Sequence, residues 1–411
     1  MQMPDNPSAN AFHSPGYLKY FTGLAAHSFA VQIVTMAVSW QIYDITRNAY
    51  YLALIGLVQF VPALALVLVT GYVADHFNRR WILALCLFLE VLGAVALTAM
   101  AVTGQVAVWP VLSVLTVFGV ARAFASPAAS SLPPNLVPKE ALPHAISLNS
   151  MSWQIASITG PVLGGLLYGF GAPVAYGTAF VLAALAVLVI VLIGHVPQQA
   201  ALKGEGAIAT VLAGFKFIRH EPVVLGAITL DLFAVLLGGA VALMPIYARD
   251  ILKIDSFGLG LLRSAPGIGA VLMALYLGKF GIKDRAGHVL FVAVAVFGLF
   301  TIVFGVSTWL PLSIAALVVM GAADMISVYV RETLMQLWTP DAVRGRVNAV
   351  NSMFIGASNE LGEFRAGIVA WKLGAVTAVV VGGIGTMVVS GLWSAMFPAL
   401  RRARKLEAPG S

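Results

Sequence analysis

The sequence predicts an all-α membrane protein, with twelve transmembrane helices in two pseudo-symmetric six-helix bundles. Three observations carry that expectation. The 411 residues are 60% hydrophobic and only 10% charged, far from the roughly 45–50% apolar and 25% charged usage of soluble domains. Twelve segments are long and apolar enough for a span, which needs ~20 residues at ~1.5 Å rise each. The halves also repeat at a constant offset of 202 positions: Gly119 meets Gly321, Ala121 meets Ala323, Pro138 meets Pro340, Asn149 and Ser150 meet Asn351 and Ser352, Gly160 meets Gly362 and Gly165 meets Gly367. A register held that far without an insertion marks a duplicated unit.

The expected spans are 18–43, 50–73, 81–103, 107–132, 142–168 and 173–194, then 222–247, 257–280, 287–306, 309–333, 343–370 and 375–398. Residues 1–194 thus form an N-terminal bundle and 222–398 a C-terminal one, followed by a basic tail over 399–411 that holds Arg401, Arg402, Arg404 and Lys405. The polar stretch 195–221, with His195, Lys203, Glu205, Lys216, Arg219 and Glu221, is the linker. Within it Ile208, Leu212, Phe215 and Ile218 recur at helical spacing beside two cations, as expected either of a short amphipathic helix on the membrane surface or of a partly ordered connection.

The first 16 residues hold Asp5 and no Lys or Arg, the wrong start for a cleaved signal peptide, so the first apolar segment is expected to be retained. Cys86 is the single cysteine and forms no internal disulfide. The net charge of +7 sits in short loops and the tail, which suits a membrane protein better than a nucleic-acid partner. Arg79, Arg80, Lys139, Lys203, Lys216, Arg219, Lys279, Lys283, Arg285, Arg344 and Arg346 fall on one side, and Arg47, Arg249, Lys253 and Lys372 on the other. By the positive-inside rule both termini are cytoplasmic, in a bacterial-type inner membrane.

The second span runs into Gly71-Tyr-Val-Ala-Asp75-His-Phe-Asn-Arg79-Arg80. This decapeptide resembles the loop signature of the major facilitator superfamily, with Asn78 where a second glycine is usual; Asn tolerates left-handed backbone better than most residues. Gly278 to Arg285 is a degenerate second copy. In the fifth span Gly160-Pro161-Val-Leu-Gly164-Gly165 combines a helix-bending proline with close-packing glycines. It is similar to the core of the superfamily's antiporter motif, with Ser147 and Ala156 replacing upstream glycines. Arg122 to Ala128, Pro134, Pro138 and Asn359 to Phe364 resemble the exporter branch that includes enterobactin, macrolide and multidrug efflux proteins. The resemblance implies two six-helix bundles, alternating access, proton exchange and a monomer; it leaves the substrate open.

Ionisable groups inside spans are costly, ~2.5–3.5 kcal/mol each at a helix centre, and ask for a partner or a wet cavity. Glu90 calls for a structural partner, and His27 reads as a satisfied core residue. Arg331 and Glu332 are expected near a cytoplasmic end, facing a loop. Arg122 and Asp324 occupy equivalent positions of the repeat. The resemblance puts spans one, four, seven and ten around a central cavity, with Asp231 near that pair and Gln32 opposite. A cavity carboxylate beside a movable cation suits proton coupling; a static salt bridge, or Asp231 as the proton carrier, fits as well. In the eleventh span Glu360 and Glu363 share a face with Gly367, while Arg365 points elsewhere. That pair reads as a second proton or cation site between the bundles, or as a glutamate paired with Arg263 or Arg365 to hold the bundles together.

No zinc-ligand spacing, phosphate-binding loop or nucleophile elbow is present, so neither an enzyme nor a cofactor is expected. The expected function is secondary active export of an amphiphilic drug or siderophore-like molecule, driven by protons. Phe29, Trp40, Phe233 and Met244 are the expected apolar cavity walls. A lipid or metabolite flippase, an importer, or a non-transporting sensor or scaffold are the alternatives.

Overall fold

A computed structural model describes residues 10–194, 196, 207–282 and 284–403. Asp5, His195, Lys203, Glu205, Lys283, Arg404 and Lys405 lie outside the described residues. Thirteen long helices follow one another: α1 Pro15–Thr46, α2 Ala49–His76, α3 Arg79–Thr103, α4 Val108–Ser130, α5 Leu142–Gly169, α6 Ala172–Val191, α7 Ala207–His220, α8 Pro222–Gly238, α9 Ser256–Phe280, α10 Ala286–Val306, α11 Leu310–Trp338, α12 Asp341–Leu373 and α13 Ala375–Met396. All but α7 correspond to the twelve expected spans. Large apolar side chains such as Leu85, Val181, Leu272 and Val292 stand more than half exposed, a surface that only lipid can cover over such an extent.

Among the described residues ten helices are long and apolar enough to cross a membrane on composition alone, and the more polar α5 and α12 are not among them. The first half of α5 holds His144, Asn149 and Gln154, and α12 holds Arg344, Glu360, Glu363 and Arg365. Helices this polar cross hydrocarbon only with those positions turned toward other helices or a wet cavity.

The chain forms two compact units. The first comprises Met1–Ile42, Val58–Gly204 and Asp255–Gly260; the second comprises Tyr43–Leu57, Glu205–Ile254 and Leu261–Ser411. In the first, Tyr17, Leu83, Leu87, Ala121, Ala125 and Ile190 form a buried core. In the second, Leu230, Leu290, Val294, Val330 and Leu334 do so.

The duplicated glycines perform the same task in each unit. A Cβ on Gly119 of α4 would come 2.5 Å from the Gln59 carbonyl oxygen of α2, and one on Gly321 of α11 would overlap the Pro266 carbonyl of α9. Backbone-to-backbone approach of this kind holds membrane helices together through van der Waals contact.

The linker helix α7 buries Ile218 against Val224, Met335, Val347 and Val350, while Leu212 and Phe215 stay exposed.

The seventh span departs from expectation in another way. It is not continuous over 222–247: α8 stops at Gly238, helical turns resume at Val241–Leu243 and Met244–Ile246, and a wide turn covers Tyr247–Ile251. The Gly238-Gly239 pair leaves the helical path there, and a Cβ on Gly239 would sit 2.5 Å from the Gly362 carbonyl oxygen. The break frees backbone carbonyls that hydrocarbon cannot satisfy. Arg365 donates to the freed Leu237 carbonyl, and about one turn earlier Thr386 Oγ1 adds a bond to the Ala234 carbonyl at 3.0 Å.

Candidate transport site

Within the first unit, α1 to α6 enclose a cavity of about 350 Å³. Its polar lining includes His27, Gln32, Gln59, Glu90 and Arg122. α1 presents His27 and Gln32 a little over one turn apart, and α3 and α4 bring Glu90 and Arg122 to the same space. His27 Nδ1 lies 2.8 Å from Glu90 Oε2, so Glu90 has an ion-pair partner, while His27 itself lines the cavity. Arg122 is exposed and makes no ion pair or hydrogen bond among the described residues. Behind this wall the fifth-span motif packs in an uninterrupted α5. A Cβ on Gly160 would meet Gln32, one on Gly164 would come 3.1 Å from the Ile33 Cα, and one on Gly165 would come 3.0 Å from the Phe257 Cα. Pro161 is buried between them.

Within the second unit a small pocket of about 20 Å³ is lined by Asp231, Ala234 and Val235 of α8, Val294 and Phe297 of α10, and Asp324 and Ser327 of α11. That volume admits about one water molecule. Arg331 forms an ion pair with Asp231, and both are buried, at 3% and 8% exposure. This overturns the expectation that Arg331 faces a loop. Residues 324 and 331 lie two helical turns apart on one face of α11, so the guanidinium reaches back into the unit toward the carboxylates. Asp324 is half-buried and makes no ion pair or hydrogen bond among the described residues, although it lies within electrostatic reach of both Asp231 and Arg331. Glu332 sits 4.0 Å from the Arg331 guanidinium and accepts a hydrogen bond from Asn351 Nδ2 at 3.1 Å. The pocket thus sets two aspartates against one cation.

The eleventh-span residues gather elsewhere in the same unit. A Cβ on Gly56 of α2 would come 3.0 Å from Glu360 Oε2 and 3.7 Å from Glu363 Oε2, so both carboxylates turn to one spot. Gly367 on the same face meets Ala53. Arg263 of α9 lies within electrostatic reach of Glu363. Arg365 does point away from the two glutamates, to the Leu237 carbonyl at the helix break.

The expected apolar walls lie outside both spaces. Trp40 and Met244 are buried in packing, and Phe233 stacks on Trp393 at 5.1 Å between ring centres. Trp153, 58% exposed, and Phe118 line the first cavity instead.

At the loop signature α2 carries Gly71 and Asp75 to its end at His76. Asn78 has φ −65° and caps α3, its side chain accepting from the Arg80 N–H at 3.1 Å. It is extended rather than left-handed, because capping rather than tight turning is what an Asn offers before a helix. Arg79 donates to the Ser131 carbonyl at 3.5 Å, and Arg80 donates to the carbonyls of Ile193 and Gly194, tying the α2–α3 turn to α4 and to the end of α6.

One further cluster was not expected from the sequence. Asp44 pairs with Arg47 at 2.9 Å and with Arg249 at 2.8 Å; Asp250 pairs with Arg47 at 3.0 Å and accepts from the Tyr43 hydroxyl. Arg47 and Arg249 stand 202 positions apart, so the repeat itself held that signal.

The profile of the family described as transmembrane secretion effector matches residues 20–408. The chain is 24% identical over 403 residues to the enterobactin exporter EntS of Shigella boydii serotype 18, spanning 95% of this chain and 94% of that protein. It is 25% identical over 407 residues to the EntS of Citrobacter koseri, with the same coverage. In structure it resembles a bacterial homolog of the human lysosomal transporter Spinster in an inward-facing, occupied conformation, with a TM-score of 0.72, 15% identity, and 97% and 99% of the two chains covered. The nucleoside transporter NupG aligns with a TM-score of 0.68 and 15% identity over 93% and 99% of the two chains.

Proposed function

This chain belongs to the transmembrane secretion effector family of the major facilitator superfamily and is a transporter, not an enzyme; from that premise we propose that it is a proton-coupled exporter of amphiphilic drugs, siderophores or similar metabolites. The observation that carries the coupling is the second unit's pocket, where Asp324 lies within electrostatic reach of the Asp231–Arg331 ion pair and the space admits about one water. Two carboxylates against one cation in a low-dielectric setting leave one negative charge uncompensated, and a single bound proton removes it. Asp324, without a fixed partner, is the group that gains and loses that proton, and Asp231–Arg331 holds the field around it. Movement of the two bundles about a midplane site then exchanges proton for substrate by alternating access. The similarity to siderophore exporters supports the direction and the substrate class. The protein is expected to act as a monomer in the bacterial inner membrane with both termini cytoplasmic.

The test uses proteoliposomes holding the full chain under an imposed pH gradient, with a siderophore and a panel of fluorescent amphiphiles as cargo. Asp324→Asn is expected to abolish gradient-driven accumulation while leaving cargo binding measurable, and Asp231→Asn to impair it. Undiminished gradient-driven transport by both variants would overturn the assignment.

A further inference from the structure

The first unit's cavity has a charge balance of its own. Its described lining holds three titratable side chains, His27, Glu90 and Arg122. Glu90 is committed to His27 at 2.8 Å, and Arg122 is exposed to the cavity without any carboxylate of its own. A guanidinium in the middle of a membrane helix persists only where water or a counter-charge reaches it. Its planar fork of donors fits a carboxylate, sulfonate or phosphate through two parallel hydrogen bonds. The same lining includes Trp153, with a 58% exposed indole, and Phe118 as a second ring, so aromatic surface and the Arg122 charge share one cavity. The space, about 350 Å³, has the scale of a small-molecule pocket.

We propose that this cavity receives the anionic end of an aromatic amphiphile, with Arg122 selecting for negative charge and Trp153 supplying the apolar contact. The proposal rests on the exporter reading and deepens it by fixing the sign of the cargo's charge. A cation of equal size entering here would lose hydration beside the Arg122 guanidinium, with the cavity's one carboxylate, Glu90, already engaged by His27. An anionic lipid headgroup shares the chemistry that Arg122 recognises, so the test separates the two sources.

The probes are tetraphenylborate and tetraphenylphosphonium, which match in size and shape and differ in the sign of charge. Their binding to the purified full chain in a neutral maltoside detergent is measured by calorimetry without any gradient. The wild type is expected to favour the borate by about tenfold or more, Arg122→Ala to bring the two affinities within about twofold, and Arg122→Lys to retain a preference. Phosphonium binding to Arg122→Ala at or above wild-type affinity reports that the cavity is still folded. Equal affinities in the wild type, a preference for the phosphonium, or an undiminished borate preference in Arg122→Ala would each overturn the proposal. So would displacement of the borate by phosphatidylglycerol at equimolar amounts, which would make the site a lipid site. The exporter reading fails separately: a chain that selects the borate yet moves no cargo in vesicles loses export and keeps anion selection, and a working exporter indifferent to charge does the reverse.

Discussion

Replacing Arg331 should cost far more than replacing its partner Asp231, although the two form one ion pair. Removing one member of a buried pair costs about 3–5 kcal/mol because the other is left charged in a poor solvent. Arg331→Met preserves the length of the side chain but leaves Asp231 and Asp324 facing the same pocket of about 20 Å³ without a cation, so the full penalty of about 3–5 kcal/mol is expected. In Asp231→Asn the guanidinium keeps Glu332 at 4.0 Å and has Asp324 within electrostatic reach, and the loss should be about 1–2 kcal/mol. The double variant should be more stable than Arg331→Met alone, because it removes one of the stranded carboxylates. Denaturant unfolding of the purified protein in mild detergent reads all three. Equal losses for the two single variants, or additivity of the cycle to within about 0.5 kcal/mol, would refute the view that one cation serves several acids.

Two more outcomes follow from the packing. Gly119→Val and Gly321→Val each drive a side chain into a carbonyl of the neighbouring helix, and each should lower thermal stability by about 1–3 kcal/mol or more with parallel loss of folded yield; tolerance of either would mean the helices are not in close contact there. Arg365→Met should destabilise the protein by about 1–3 kcal/mol by orphaning the Leu237 carbonyl, and Arg365→Lys should recover part of that; indistinguishable melting of the two variants would exclude the capping role.

The number and order of membrane helices were legible because each span is a long apolar run and because the repeat keeps one register from Gly119 to Gly367. The glycines at positions 119 and 321 were legible as matched points of the repeat, and their packing shows what the match is for. Helix polarity was harder to weigh: α5 and α12 carry so many polar groups that only the packing around them explains their place. The break after Gly238 left two glycines as a trace, yet a glycine pair inside an apolar run is as common at a packing seam. Arg331 was misplaced because position along a span was taken to set its environment; its spacing from Asp324 was the better guide. The cavity walls could not be read at all, since an aromatic residue such as Trp40 or Trp153 looks alike in a string whether it ends inside a core or on an open face.

The interruption of the seventh span bears on how the protein is made. Leu237 leaves the ribosome 128 residues before Arg365, and Ala234 precedes Thr386 by 152. Until those late helices insert, the newborn chain holds a split helix whose carbonyls face lipid at a cost of several kcal/mol. The last two long helices thus complete a segment translated long before them.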